Sequence, residues 1–141
     1  MASAFETESE LDEFISQFLA GTLPKSAWTH AAHVAVTAAA AWTRENPATA
    51  LDRLRAAIPR YNEATGGQNT EDSGYHETLT CFWVERVAEA MPLTADSRLY
   101  AVSAVVARYS PCSGLFRDYY SFDVVRSREA RRQWIPPDLL L

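Results

Sequence analysis

Lysine is nearly absent from this 141-residue chain: Lys25 stands alone beside twelve arginines. Basic residues total 13 against 18 acidic ones, for a net charge of −5. A nucleic-acid-binding domain is expected to be basic, so this balance argues against one. The modest acidic excess mainly favours solubility. Cysteine is scarce too. Cys81 and Cys112 form no CxxC pair, which excludes a disulfide framework or a zinc ribbon. Long apolar runs are missing: the least polar stretch, Ala31 to Trp42, falls far short of the ~20 residues that span a bilayer. The start of the chain, MASAFETESELDEF, has neither the basic head nor the apolar centre of a signal peptide. The expectation is a cytoplasmic protein with no nucleic-acid or membrane partner. There is no P-loop, dinucleotide fingerprint, G-x-S-x-G or H-E-x-x-H.

Apolar residues make up 48% of the chain and aromatic residues 11%, enough for one packed core. The length fits one domain over residues 1–141. The pattern predicts an all-α fold, a compact bundle of about five or six helices. Thr7 and Glu10 form a capping box, and Leu11, Phe14, Ile15, Phe18 and Leu19 then give one buried stripe ending at Gly21. A second helix starts near Ser26 or Thr29 and runs to about Glu45. Residues 31 to 42 carry no charge, so it should lie at the centre. Asn46-Pro47 starts a third helix, with Leu51, Leu54 and Ile58, a kink at Pro59 and an end at Gly66-Gly67. A polar loop, GGQNTEDSG, leads into a fourth helix from Ser73 or Gly74 to Met91. Thr94 is expected to cap a fifth, with Leu99, Val102, Val106 and Tyr109, stopped at Ser110-Pro111. Short helical pieces are expected near Leu115–Tyr120 and Asp123–Gln133, and the tail Ile135-Pro136-Pro137 should pack across the surface.

The three histidines carry the functional expectation. His30 and His33 sit about 60° apart around a helix, at the end where the dipole disfavours imidazolium. Neutral imidazole suits a metal ligand or a general base. His76 opens another helix with Glu77 beside it and Thr80 one turn on. If the two helix starts meet, His30, His33 and His76 could hold one divalent zinc, iron or manganese ion, with Glu77 as a fourth ligand or general base. The same histidines could instead carry acid–base or binding work without a metal, or be internal hydrogen-bonding groups of a structural module. Asn62, Asn69 and Thr78 are expected to bind substrate, Tyr75 to donate to it, and Trp28 to wall a pocket beside His30. Cys81 lies about 140° from His76 around the helix, which does not favour a Cys–His nucleophile. Arg126, Arg128, Arg131 and Arg132 form a basic patch, best read as a solvated face.

The segments Trp28-Thr29-His30-Ala31-Ala32-His33, Arg60-Tyr61-Asn62 and Gly74-Tyr75-His76-Glu77-Thr78 resemble a family of small bacterial helical proteins with W-T-H-x-x-H, R-Y-N and G-Y-H-x-T motifs. The resemblance spans about residues 15–110. The family has no known activity, so the resemblance supplies no mechanism. It implies that His30, His33, Asn62, Tyr75, His76 and Thr78 belong together. The expectation is a small enzyme acting on a small polar metabolite through three histidines, as a metal-dependent hydrolase or lyase, or by isomerisation. The alternative is a non-catalytic module that binds a small ligand or is purely structural. Whether it is an enzyme, and whether it oligomerises, the sequence leaves open.

Overall fold

The computed structural model describes residues 5–42, 47–92 and 96–139. Among these all regular structure is helical, with six α-helices and no strand. Helix α1 is Glu8–Ala20, α2 His30–Ala41, α3 Pro47–Ala64, α4 Glu77–Ala90, α5 Arg98–Tyr109 and α6 Arg128–Arg132. Single 3-10 turns occupy Lys25–Ala27 and Leu115–Asp118. No helix among the described residues is long and apolar enough to cross a membrane.

The helices begin where short polar side chains can satisfy free backbone N–H groups. Thr7 accepts from the Glu10 amide at 3.0 Å, and Thr29 from Ala32 at 3.2 Å. Ser127 accepts from Ala130 at 3.1 Å. α5 departs from expectation: its cap is Ser97, accepting from the Tyr100 amide at 3.0 Å, three residues after Thr94. Thr94 lies outside the described residues, as do Glu45 and Asn46. α2 ends at Ala41. α4 also starts later than its Ser73-Gly74 signal, because Gly74 takes φ +81 in a turn so tight that a Cβ would meet the Gln68 carbonyl at 2.3 Å. Its cap is His76.

α2 is the central helix, as its uncharged sequence requires. It packs against α3, α4 and α5, and buries Ala32, Val34, Ala35, Val36, Thr37 and Ala38. Small alanines bring the neighbouring helices close. One core cluster joins Leu11 of α1, Val34 and Ala38 of α2, Val87 of α4 and Val102, Val105 and Tyr109 of α5. A second joins Phe18, Val36, Ala50, Leu54, Tyr61 and Val84. In a third, Phe82 of α4 meets Phe116, Tyr120, Val124 and Ala130 from the C-terminal segments. The expected α1 stripe is narrower than its spacing: Leu11 and Phe18 are buried, but Leu19 is 51% exposed because it falls at the stripe's edge. Pro59 sits inside α3, where its missing N–H removes one helical bond.

The tail crosses back over α4. Thr78 Oγ1 donates to the Gln133 carbonyl at 2.8 Å and accepts from the Ile135 amide at 3.0 Å, while Tyr120 donates to the Ile135 carbonyl at 2.7 Å. Two of the four arginines of the basic patch are tied down. Arg128 meets Asp72 at 2.9 Å, and Arg131 donates to the Gly74 carbonyl at 2.8 Å.

Gly21 closes α1 with φ +76, and a Cβ there would lie 2.6 Å from the Ala64 Cβ. Gly21→Ala therefore combines left-handed strain with a clash against the end of α3. The expected loss is about 1–3 kcal/mol, read as a lower urea midpoint at unchanged slope.

Candidate functional site

A cavity of about 490 Å³ lies between the starts of α2 and α4. That volume is in the range of small-molecule sites. Its apolar wall includes Trp28, Trp83, Leu79, Ile58 and Phe116. His30, His33, Asn62, Tyr75, His76 and Thr80 supply most of its polar lining. Two stripes face it. His30, His33, Val34 and Thr37 follow at i, i+3, i+4 and i+7 on α2, and the trio Leu79, Thr80 and Trp83 continues from His76 at the same spacing on α4. All three histidines and Asn62, Tyr75 and Trp28 thus line one space. Asn69, Glu77 and Thr78 do not line it.

Each imidazole is tied to a backbone carbonyl. His30 Nε2 is 3.0 Å from the Tyr109 oxygen, His33 Nδ1 is 2.8 Å from that of Thr29, and His76 Nε2 is 2.9 Å from that of Val124. A carbonyl only accepts, so the facing nitrogen carries the hydrogen in each case. In the neutral rings this leaves lone pairs at His30 Nδ1, His33 Nε2 and His76 Nδ1. The third is already used, accepting from the Leu79 amide at 3.1 Å as the N-cap of α4. His33 also lies against the Trp28 ring, with centroids 3.8 Å apart. Burial holds the pKa of His33 below its ordinary 6.5, against the opposing Thr29 hydrogen bond. Burial likewise lowers that of His76, against its bond to Val124.

This geometry corrects the metal-site expectation. His76 has no nitrogen left for a metal, so the three-histidine ligand set does not assemble. Among the described residues no group of three or more His, Cys, Asp and Glu side chains is placed to hold a metal ion. Glu77 is not available as a fourth ligand or a base. It lies one residue past His76, on a different face of α4, where Arg55 Nε reaches its Oε2 at 2.9 Å and Tyr75 donates to its Oε1 at 2.7 Å. Burial pushes its pKa up, but the hydrogen bonds from Arg55 and Tyr75 outweigh that and hold it below the usual value. Tyr75 therefore lines the cavity with a ring whose hydroxyl hydrogen is already committed. Behind it, burial pushes the Cys81 thiol up to about 12, which makes it a poor nucleophile.

Two further expectations change role. Asn69 is a loop organiser: its Oδ1 accepts from Tyr75 N and Asn62 Nδ2, both at 3.0 Å, and its Nδ2 donates to the Pro59 carbonyl at 2.9 Å. Thr78 is fully buried and holds the tail. The cavity residues that the motifs did not single out include Trp83, Thr37, Leu79, Ile58 and Phe116. Helical spacing from His30 and from His76 would have found the first three.

His76→Ala removes an N-cap and orphans the Val124 carbonyl, so the expected loss is about 2–3 kcal/mol, with partial rescue by His76→Asn, which restores the cap. The depressed values of His33 and His76 also set a sign. The unfolded chain takes up protons first as pH falls below the ordinary 6.5. The stability these rings contribute is thus fully present above that value and lost as pH falls through and below it. Urea midpoints followed from about pH 8 to about pH 5 should fall in the wild type, and less steeply in His76→Asn. No protein-family model, curated protein or solved structure matches the chain.

Proposed function

We propose that this chain is a small enzyme that holds a compact organic metabolite in the α2–α4 cavity and moves a proton through His33. One observation carries the reading: in His33, a residue that lines the cavity, Nδ1–H is fixed on the Thr29 carbonyl, which leaves Nε2 with a free lone pair. Burial keeps that ring neutral near pH 7, the state a general base needs. Trp28 and Trp83 would form part of the wall that keeps water from the metabolite, while His30 offers a second imidazole. With Glu77 neutralised by Arg55, isomerisation or elimination by proton transfer fits these groups better than metal-activated hydrolysis. The free cysteines fit a reducing compartment, and we place the chain in the cytoplasm. The shared motifs support grouping it with the small bacterial proteins they resemble.

A non-catalytic ligand-binding module is the second reading. It draws support from the carbonyl tether on His30 and from the lack of a carboxylate among the described residues that line the cavity.

Metabolites that raise the melting temperature identify candidate substrates, and turnover of these by wild type and His33→Gln separates the readings. The enzyme reading expects kcat to fall by about 10²–10⁴-fold in the variant. Binding should change much less. The wild-type kcat/KM should decline on the acid side, below the ordinary imidazole value. Equal turnover by the variant, or binding without any turnover, favours the module.

A further inference from the structure

Charged residues make up 22% of the chain, yet none of the described residues lining the α2–α4 cavity is Asp, Glu, Lys or Arg. Three of its titratable groups are held neutral near pH 7. Burial keeps His33 and His76 below the ordinary imidazole value. Burial, with the bond to Glu77, pushes the Tyr75 hydroxyl above its ordinary value. Glu77 and Arg131, which touch the lining residues Tyr75 and Gly74, each have a counter-charge: Arg55 for the first and Asp72 for the second. The polar groups of the lining are of both kinds. Trp28 and Trp83 each carry an indole N–H with no hydrogen-bond partner among the described residues, and His33 Nε2 keeps a lone pair. Val34, Ile58, Leu79 and Phe116 add hydrocarbon.

We infer that the cavity takes a compact, largely apolar molecule with no net charge, its polar part a neutral group such as a ketone, amide or hydroxyl, and discriminates against carboxylates and ammonium ions. An ion entering it would give up water, and no side chain on the described lining carries the charge to replace it. A neutral polar group gives up far less, and a donor or an acceptor can each find a match on the wall. One feature bears on the two ions unequally. Both α2 and α4 begin at the cavity, and the positive end of a helix repels cations and favours anions. The carboxylate is therefore the stronger competitor, although Thr29 and His76 already take one amide at each helix start, at 3.2 and 3.1 Å. In the enzyme reading, the positive helix starts would meet the negative charge that appears on an uncharged substrate as its proton passes to His33 Nε2. This substrate class deepens the proposed function and rests on the same cavity being the binding site.

The test uses the whole chain at about pH 8, above the ordinary imidazole value. Three probes share one ring: cyclohexanecarboxamide, cyclohexanecarboxylate and cyclohexylmethylammonium. Indole N–H resonances of Trp28 and Trp83 report occupancy. The amide should bind about tenfold or more tightly than either ion. A cation placed on the wall should undo this: in Ile58→Lys the preference for amide over carboxylate should shrink to parity or invert. Ser113→Lys, at an exposed lining position, takes its place if the first variant does not fold. The ratio is internal to each variant, so a loss of stability does not blur it. Either ion binding as well as the amide, an unchanged ratio in the lysine variant, or no amide binding at millimolar concentration would each overturn the inference. Its failure is distinct from that of the enzyme reading. Carboxylate binding best leaves proton transfer by His33 standing, whereas amide preference with no turnover of neutral candidates leaves the selectivity standing and removes catalysis.

Discussion

A backbone carbonyl can accept a hydrogen bond and never donate one, and the α2–α4 site follows from that constraint applied three times. Thr29, Tyr109 and Val124 each fix one imidazole, its tautomer and its ring plane. The carbonyls come from α2's own cap residue, the end of α5 and the segment before α6. The orientation of the histidines is therefore a property of the whole bundle. It also divides their labour. His76 has both nitrogens engaged and serves the fold, while His33 keeps an unengaged nitrogen and can serve a ligand.

The same division runs through the acidic side. Burying a carboxylate is costly unless charge and hydrogen bonds replace the lost water. Glu77 meets that condition with Arg55, Tyr75 and the Cys81 thiol, whose sulfur is 3.5 Å away. The network lies behind the cavity wall and holds the Tyr75 ring in place. The site is thereby left with neutral groups on its lining, while the charge nearest to it is compensated.

Much of the fold was legible from local signals. Thr7, Thr29 and Gly21 act where their side chain or its absence is read within one turn of helix. The uncharged run of α2 announced its central place. The misread boundary at α4 has a physical cause: Ser73-Gly74 looks like a cap, but Gly74 is needed at positive φ for a turn against Gln68, and an imidazole takes the cap position instead. In the site, convergence of His30, His33 and His76 could be anticipated from their helix-start positions, but their tautomers could not. Those depend on carbonyls 79 and 48 residues away for His30 and His76. Thr78 was unreadable for the same reason, since its partners Gln133 and Ile135 lie 55 and 57 residues on. Glu77 was one helical step from the histidine face, and only the packing of α3 on α4 decides that Arg55 claims it.

The tail lying over α4 has a consequence for the order in which the molecule is made. A chain that has emerged from the ribosome through Tyr109 already contains both imidazole stripes and the bulk of two of the three core clusters. It still lacks Phe116, the Val124 carbonyl that seats His76, and the segment that Thr78 holds. Helical contacts earlier in the chain can form as it emerges. The cavity wall is complete only once the segments after Tyr109 lie against α4, so its geometry depends on the later-made part of the described chain.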